Sequence, residues 1–105
     1  MTTNKETTSA AYAIGESVAI IMRLIGEDNL PHDFTNKVMT NPKDKLMPWL
    51  VKALNPTQTA SELATIREEL ADLAYIYDCN LPTHFTPKEQ SDYILGFSKR
   101  FNRQQ

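Results

Sequence analysis

Ile14, Val18, Ile21 and Ile25 recur at 4-3-4 spacing, the period of one helix face. Tyr12, Ile20, Met22 and Leu24 widen that stripe, so the pattern predicts a central helix. Thr8 or Ser9 is placed to cap it, and Gly26 to end it in a left-handed conformation. Gly15 lies inside the helix, at a cost of about 1 kcal/mol against alanine. A neighbour packed close to it accounts for a glycine there.

The segment from Leu30 to Pro56 is punctuated by Pro31, Pro42, Pro48 and Pro56. Each proline removes a backbone donor and fits best in a first helical turn. Short helices are expected near 31–40 and 43–54, with Pro48 either kinking the second or starting it. Phe34, Val38, Leu46, Trp49, Leu50, Val51 and Leu54 are expected to pack inward.

Thr59 followed by Glu62 forms a capping box ahead of the next stripe, Leu63, Ile66, Leu70, Leu73 and Ile76 or Tyr77. Glu62, Arg67, Glu68, Glu69 and Asp72 fall largely off that stripe, and Asn80, Leu81 and Pro82 stop the helix. The last helix carries three start signals at once: Thr86 as cap, Pro87 at the first helical position and Glu89 closing a second box. Tyr93, Phe97 and Phe101 then repeat every four residues with Ile94 alongside, and Gly96 is a notch that admits another helix. Lys99, Arg100 and Arg103 complement the negative end of the helix dipole, at a few tenths of a kcal/mol each. No strand pattern, internal repeat or low-complexity block stands out. The expected fold is all-α, a compact bundle of four to five helices over residues 8–105, preceded by a disordered polar tail at 1–7.

The 105 residues suit one domain, and a hydrophobic fraction of 41% is ordinary for a globular chain. One cysteine, Cys79, leaves no disulfide framework and no thiolate metal cluster, which fits a reducing cytoplasm. No apolar run approaches the roughly 18 residues of a membrane span, and the opening MTTNKETTSAA lacks the order of a signal peptide. The net charge is −2, but its distribution is uneven. Lys37, Lys43, Lys45 and Lys52 outweigh Asp44 in residues 36–59, and the last helix is cationic too. The stretches around them are acidic.

Candidate catalytic chemistry is sparse. His32 and His84 stand alone beside prolines, Cys79 has no histidine near it in sequence, and no glycine-rich phosphate loop is present. No cofactor or metal site is expected. Glu69 and Asp72 share a helix face and resemble half of the magnesium site of MazG-type nucleotide pyrophosphohydrolases. The resemblance implies a second acidic pair on an upstream helix, and the preceding residues hold none in that spacing. A solvated acidic face is the favoured reading.

Two further stretches are similar to a known family. Pro82 to Gln90 followed by Tyr93-Ile-Leu-Gly96-Phe97 resembles the C-terminal helix of the CRISPR type I-C large subunit. That helix follows a proline-led loop and carries a Glu-Gln pair, an aromatic residue, a Leu-Gly-aromatic step and a basic residue. Ala11-Tyr12-Ala-Ile-Gly15 with Val18-Ala19-Ile20 resembles the first helix of the same region. The matching stretches cover about a third of the chain, near its two ends and in the right order. Glu16 departs from the basic residue usual after the first glycine, and Phe97-Ser98 from the usual aromatic pair.

The resemblance implies a helical bundle that can also be made separately, as the non-catalytic small subunit of the RNA-guided Cascade surveillance complex in antiviral defence. A 105-residue chain with its own Met1 is expected to be that separate form. Its implied partners are other Cascade subunits, further copies of itself and, weakly, single-stranded target DNA. Lys99, Arg100 and Arg103 would then face nucleic acid as well as cap a dipole, with Lys43, Lys45 and Lys52 next and Arg23 after them. Gly15 and Gly96 would let the first and last helices cross closely. The competing expectation is a helical adaptor or phage-type regulator without nucleic-acid contact.

Overall fold

The computed structural model describes residues 9–55, 63–78 and 80–104, and among them lie five α-helices and a 3-10 turn at Glu27–Asn29. The expected tail at 1–7, the Thr59–Glu62 capping box and Cys79 lie outside those residues. No strand occurs among the described residues, and the chain is an all-α bundle.

Helix α1 (Ala10–Ile25) starts at Ser9, whose hydroxyl accepts the Tyr12 amide at 3.1 Å. It stops at Gly26, where φ of 94° is open to glycine, although ψ of 131° takes the chain outside the left-handed helical basin. Ala13, Ile14, Ser17, Val18, Ile20 and Ile21 are all fully buried, on several sides of the helix. That makes α1 the axis of the bundle rather than a one-faced surface helix. Its one buried hydroxyl is satisfied twice: Ser17 Oγ donates to the Ala13 carbonyl at 2.8 Å and accepts from the Tyr77 phenol at 3.0 Å.

Helix α2 (Phe34–Thr40) buries Phe34 and Val38. Helix α3 (Pro42–Leu54) is started by Asn41, whose side chain accepts the Asp44 amide at 3.2 Å, and by Pro42 at the first helical position. Pro48 therefore lies inside α3 and does not begin it. Leu46, Leu50 and Ala53 face the core, whereas Val51, expected inside, is 62% exposed. One residue is 100° around a helix, so Val51 cannot share the face of both Leu50 and Ala53.

Helix α4 (Ala64–Ile76) buries only Leu70 and Ala74, and Tyr77 after it. Between Ile76 and Tyr77 the core takes the tyrosine, whose phenol reaches Ser17, and Ile76 stays half in water. Helix α5 (Pro87–Gln104) has the capping box its sequence signals. The Glu89 amide donates to Thr86 Oγ1 at 3.2 Å, and the Thr86 amide donates to Glu89 Oε1 at 2.8 Å. Ile94 lies half exposed beside the buried Tyr93, whose phenol donates to the Thr35 carbonyl at 2.8 Å.

The broadest packing is between α1 and α5. Ser9 Oγ donates to Asp92 at one end and Gln104 donates to the Ala19 carbonyl at the other, so the two helices run parallel. Between those points the backbones meet. A Cβ on Gly15 would strike the Tyr93 carbonyl oxygen and lie 2.8 Å from the Phe97 nitrogen. A Cβ on Gly96 would strike the Tyr12 carbonyl oxygen and lie 3.0 Å from its carbon. Each glycine thus turns an α-hydrogen toward a carbonyl three residues before the other glycine, a geometry of weak Cα–H···O contacts between helices. The same four-residue pattern, Tyr-x-x-Gly, serves both helices: Tyr12 to Gly15 and Tyr93 to Gly96.

Gly15→Ala and Gly96→Ala should therefore each lower stability in urea unfolding, by about 1–3 kcal/mol, because the obstacle is backbone and cannot turn aside. The loss should appear despite alanine's better helix propensity of about 1 kcal/mol. A stabilised Gly96→Ala variant would mean open space at that position.

Candidate nucleic-acid interface

The three basic residues near the end of α5 do not share one environment. Lys99 and Arg103 are exposed. The Arg100 side chain is 11% exposed, and its guanidinium pairs with the Glu69 carboxylate of α4. Arg100 Nε also donates to Gln104 Oε1 at 3.3 Å, and Gln104 Nε2 reaches the Ala19 carbonyl at 3.2 Å. Arg100 therefore ties α5 to α4 and, through Gln104, to α1. Its long aliphatic stem is covered while its head is engaged.

Glu16 of α1 completes this cluster. It is half-buried, and burial pushes its carboxyl above the usual glutamate range. Arg100 and then Arg103 pull it back down, and Glu69 adds a push upward. Two carboxylates and two guanidiniums thus influence one another where α1, α4 and α5 converge.

Arg23 is exposed in the last turn of α1. Because α1 and α5 run parallel, it arrives at the same end of the bundle as Lys99 and Arg103, beside Phe101 and Gln104. Glu27 borders the same depression, so acid interrupts the basic groups there.

The α3 lysines split. Lys45 and Lys52 are seven residues apart, which is two turns, so they lie on one side of the helix. Lys43, two residues from Lys45, projects to the opposite side, and its amide donates to the Pro82 carbonyl at 2.9 Å. Trp49 sits between Lys45 and Lys52 on their side. It is half-buried, its ring meets Phe34 edge-on at 6.2 Å, and Lys52 Nζ stands 5.4 Å from its centroid. Sequence reasoning assigns Trp49 to the core alone, yet Lys-x3-Trp-x2-Lys on one helix marks a flanked aromatic. Helix α3 packs mainly on α1, α2 and α4, so its lysines form a second basic area apart from the end of α5.

Elsewhere the chemistry stays dispersed. Glu69 is engaged by Arg100 while Asp72 is exposed, and no group of three or more His, Cys, Asp or Glu converges among the described residues. His32 lines a depression of about 460 Å³ in the turn between α1 and α2, with Glu27, Asp28 and Asp33. His84 is exposed beside Thr83.

Charge on Glu16 costs stability, since its folded pKa lies above the unfolded value. That cost is absent below the ordinary glutamate range and grows as pH rises through the raised pKa. Glu16→Gln should therefore be more stable than wild type at neutral pH, with the gain vanishing in acid. A gain of constant size across a pH series of unfolding curves would contradict this. Arg100→Ala should cost on the order of 1 kcal/mol in the same assay, and Lys99→Ala close to nothing. Comparison with known protein families, curated proteins and solved structures finds no match to the chain.

Proposed function

We propose that the protein is a non-catalytic small subunit of a Cascade-type, crRNA-guided surveillance complex. In this reading several copies stack in the complex and support unwound target DNA through exposed basic side chains. The observation that carries it is the α1–α5 crossing. The two stretches that resemble the large subunit's C-terminal region lie far apart in sequence, yet they meet through Gly15 and Gly96. A resemblance restricted to two segments is more informative when the segments form one packed unit than when they are separate.

The nucleic-acid part of the reading rests on Lys99, Arg103 and Arg23 at one end of the bundle and on Lys45 and Lys52 of α3. Arg100 contributes by holding α5 in place, since its guanidinium is already bonded to Glu69. A single copy offers few phosphate contacts and carries a net charge of −2, so it binds a strand weakly on its own. Alignment of several copies by partner subunits would make the later contacts intramolecular and raise the total affinity.

A second reading is a helical adaptor without nucleic-acid contact. It is favoured by the pairing of Arg100 with Glu69, by Glu27 beside Arg23, and by the exposed Tyr75, Ile76, Ile94 and Leu95. Such apolar side chains suit protein partners.

The test is Lys99→Ala with Arg103→Ala, leaving Arg100 and the fold intact. Loss of two single-strand phosphate contacts per copy should weaken target-DNA binding by the assembled complex and flatten the logarithmic salt slope by about 1.4 for each copy engaged. Wild-type binding and slope, with assembly unchanged, would leave the end of α5 as a dipole cap and move the nucleic-acid contact to the α3 lysines.

A further inference from the structure

We infer that Trp49, flanked by Lys45 and Lys52, is a stacking platform for an unpaired base of a single-stranded nucleic acid. This rests on the nucleic-acid part of the reading above, and gives that contact a residue and a geometry. The ring is held from one side: it is half-buried against the core and meets Phe34 edge-on at 6.2 Å. Part of the residue stays accessible, and the exposed Lys52 reaches to 5.4 Å from the ring centroid. A tryptophan held by this packing is pre-organised, so a stacked base does not have to order it.

The flanking charge suits a strand. Lys45 precedes Trp49 by one turn and Lys52 follows it by one turn, so a base on the ring places its neighbouring phosphates between two ammonium groups. The one acid of α3, Asp44, is occupied at the start of the helix, where its amide and carboxylate both bond Asn41. In the free protein Lys52 covers the ring as a cation–π partner. Such an exposed contact is weaker than a base–aromatic stack. Binding exchanges one for the other: the base takes the ring face and Lys52 swings out to a phosphate. The platform reads no sequence, because every base has a π-face.

Trp49 is the sole tryptophan of the chain, so its fluorescence reports on this site alone. The full chain is titrated at low ionic strength with oligo-dT, oligo-rU and a duplex of equal length, and binding is followed separately by anisotropy of a labelled strand. Single strands are expected to quench Trp49 and the duplex to leave it unchanged. The dT and rU arms show which sugar is preferred. Trp49→Leu should weaken single-strand binding on the order of tenfold, and Trp49→Phe should retain most of it. Lys45→Gln with Lys52→Gln keeps the ring in place and should reduce both affinity and salt slope, which guards against a misfolded Trp49 variant. Binding by anisotropy with unchanged Trp49 emission, or equal quenching by duplex, overturns the platform and leaves the nucleic-acid reading standing. Failure of any strand to bind at low salt overturns both.

Discussion

The contact on which the structure depends is made by backbone. At Gly15 and Gly96 the first and last helices approach until the space for a side chain is gone. That approach sets the register from Ser9 against Asp92 to Gln104 against Ala19, and it leaves α1 enclosed along its length. The other helices fit around this pair. Helix α4 adds Leu70, Ala74 and the Tyr77–Ser17 hydrogen bond, and α3 adds Leu46, Leu50 and Ala53. A larger residue at either glycine would push the pair apart and loosen every contact built on α1.

The same pairing explains how charge is distributed. Arg100 sits on the side of α5 that turns toward α1 and α4, and there it meets Glu69 while Glu16 lies close by. Lys99 and Arg103 fall to its flank and stay in water. Adjacent residues such as Lys99 and Arg100 point about 100° apart around a helix, so basic residues in a short stretch need not act as one group. One of them fastens the bundle, and two are available to a partner.

Most of the architecture is legible in the sequence because it follows local rules. The Thr86–Glu89 box, the Ser9 cap, the Gly26 stop and the core stripe of α1 each depend on residues within a turn or two. The departures arise where the partner is distant. Whether Ile76 or Tyr77 enters the core is decided by Ser17, 60 residues earlier in the chain. Val51 looks like a core residue by type, but Leu50 and Ala53 take the buried positions and Val51 turns to solvent. The candidate site was legible in part. The list of basic residues is read directly, but the engagement of Arg100 by Glu69 across 31 residues is not, and neither is the Lys52–Trp49 contact as a surface feature. The likeness of Tyr12–Gly15 to Tyr93–Gly96 is visible once the two are seen to cross.

The crossing also carries a cost in folding. Helical bundles usually fold quickly because their contacts are local. Here the partners of α1 at its crossing lie roughly 80 residues along the chain, and the loop between them must close before either glycine gains its neighbour. Until α5 docks, the flank of α1 that it covers stays open to water and to other chains, whatever α2, α3 and α4 have already done. The step that completes the axis of the bundle is the arrival of its most distant helix.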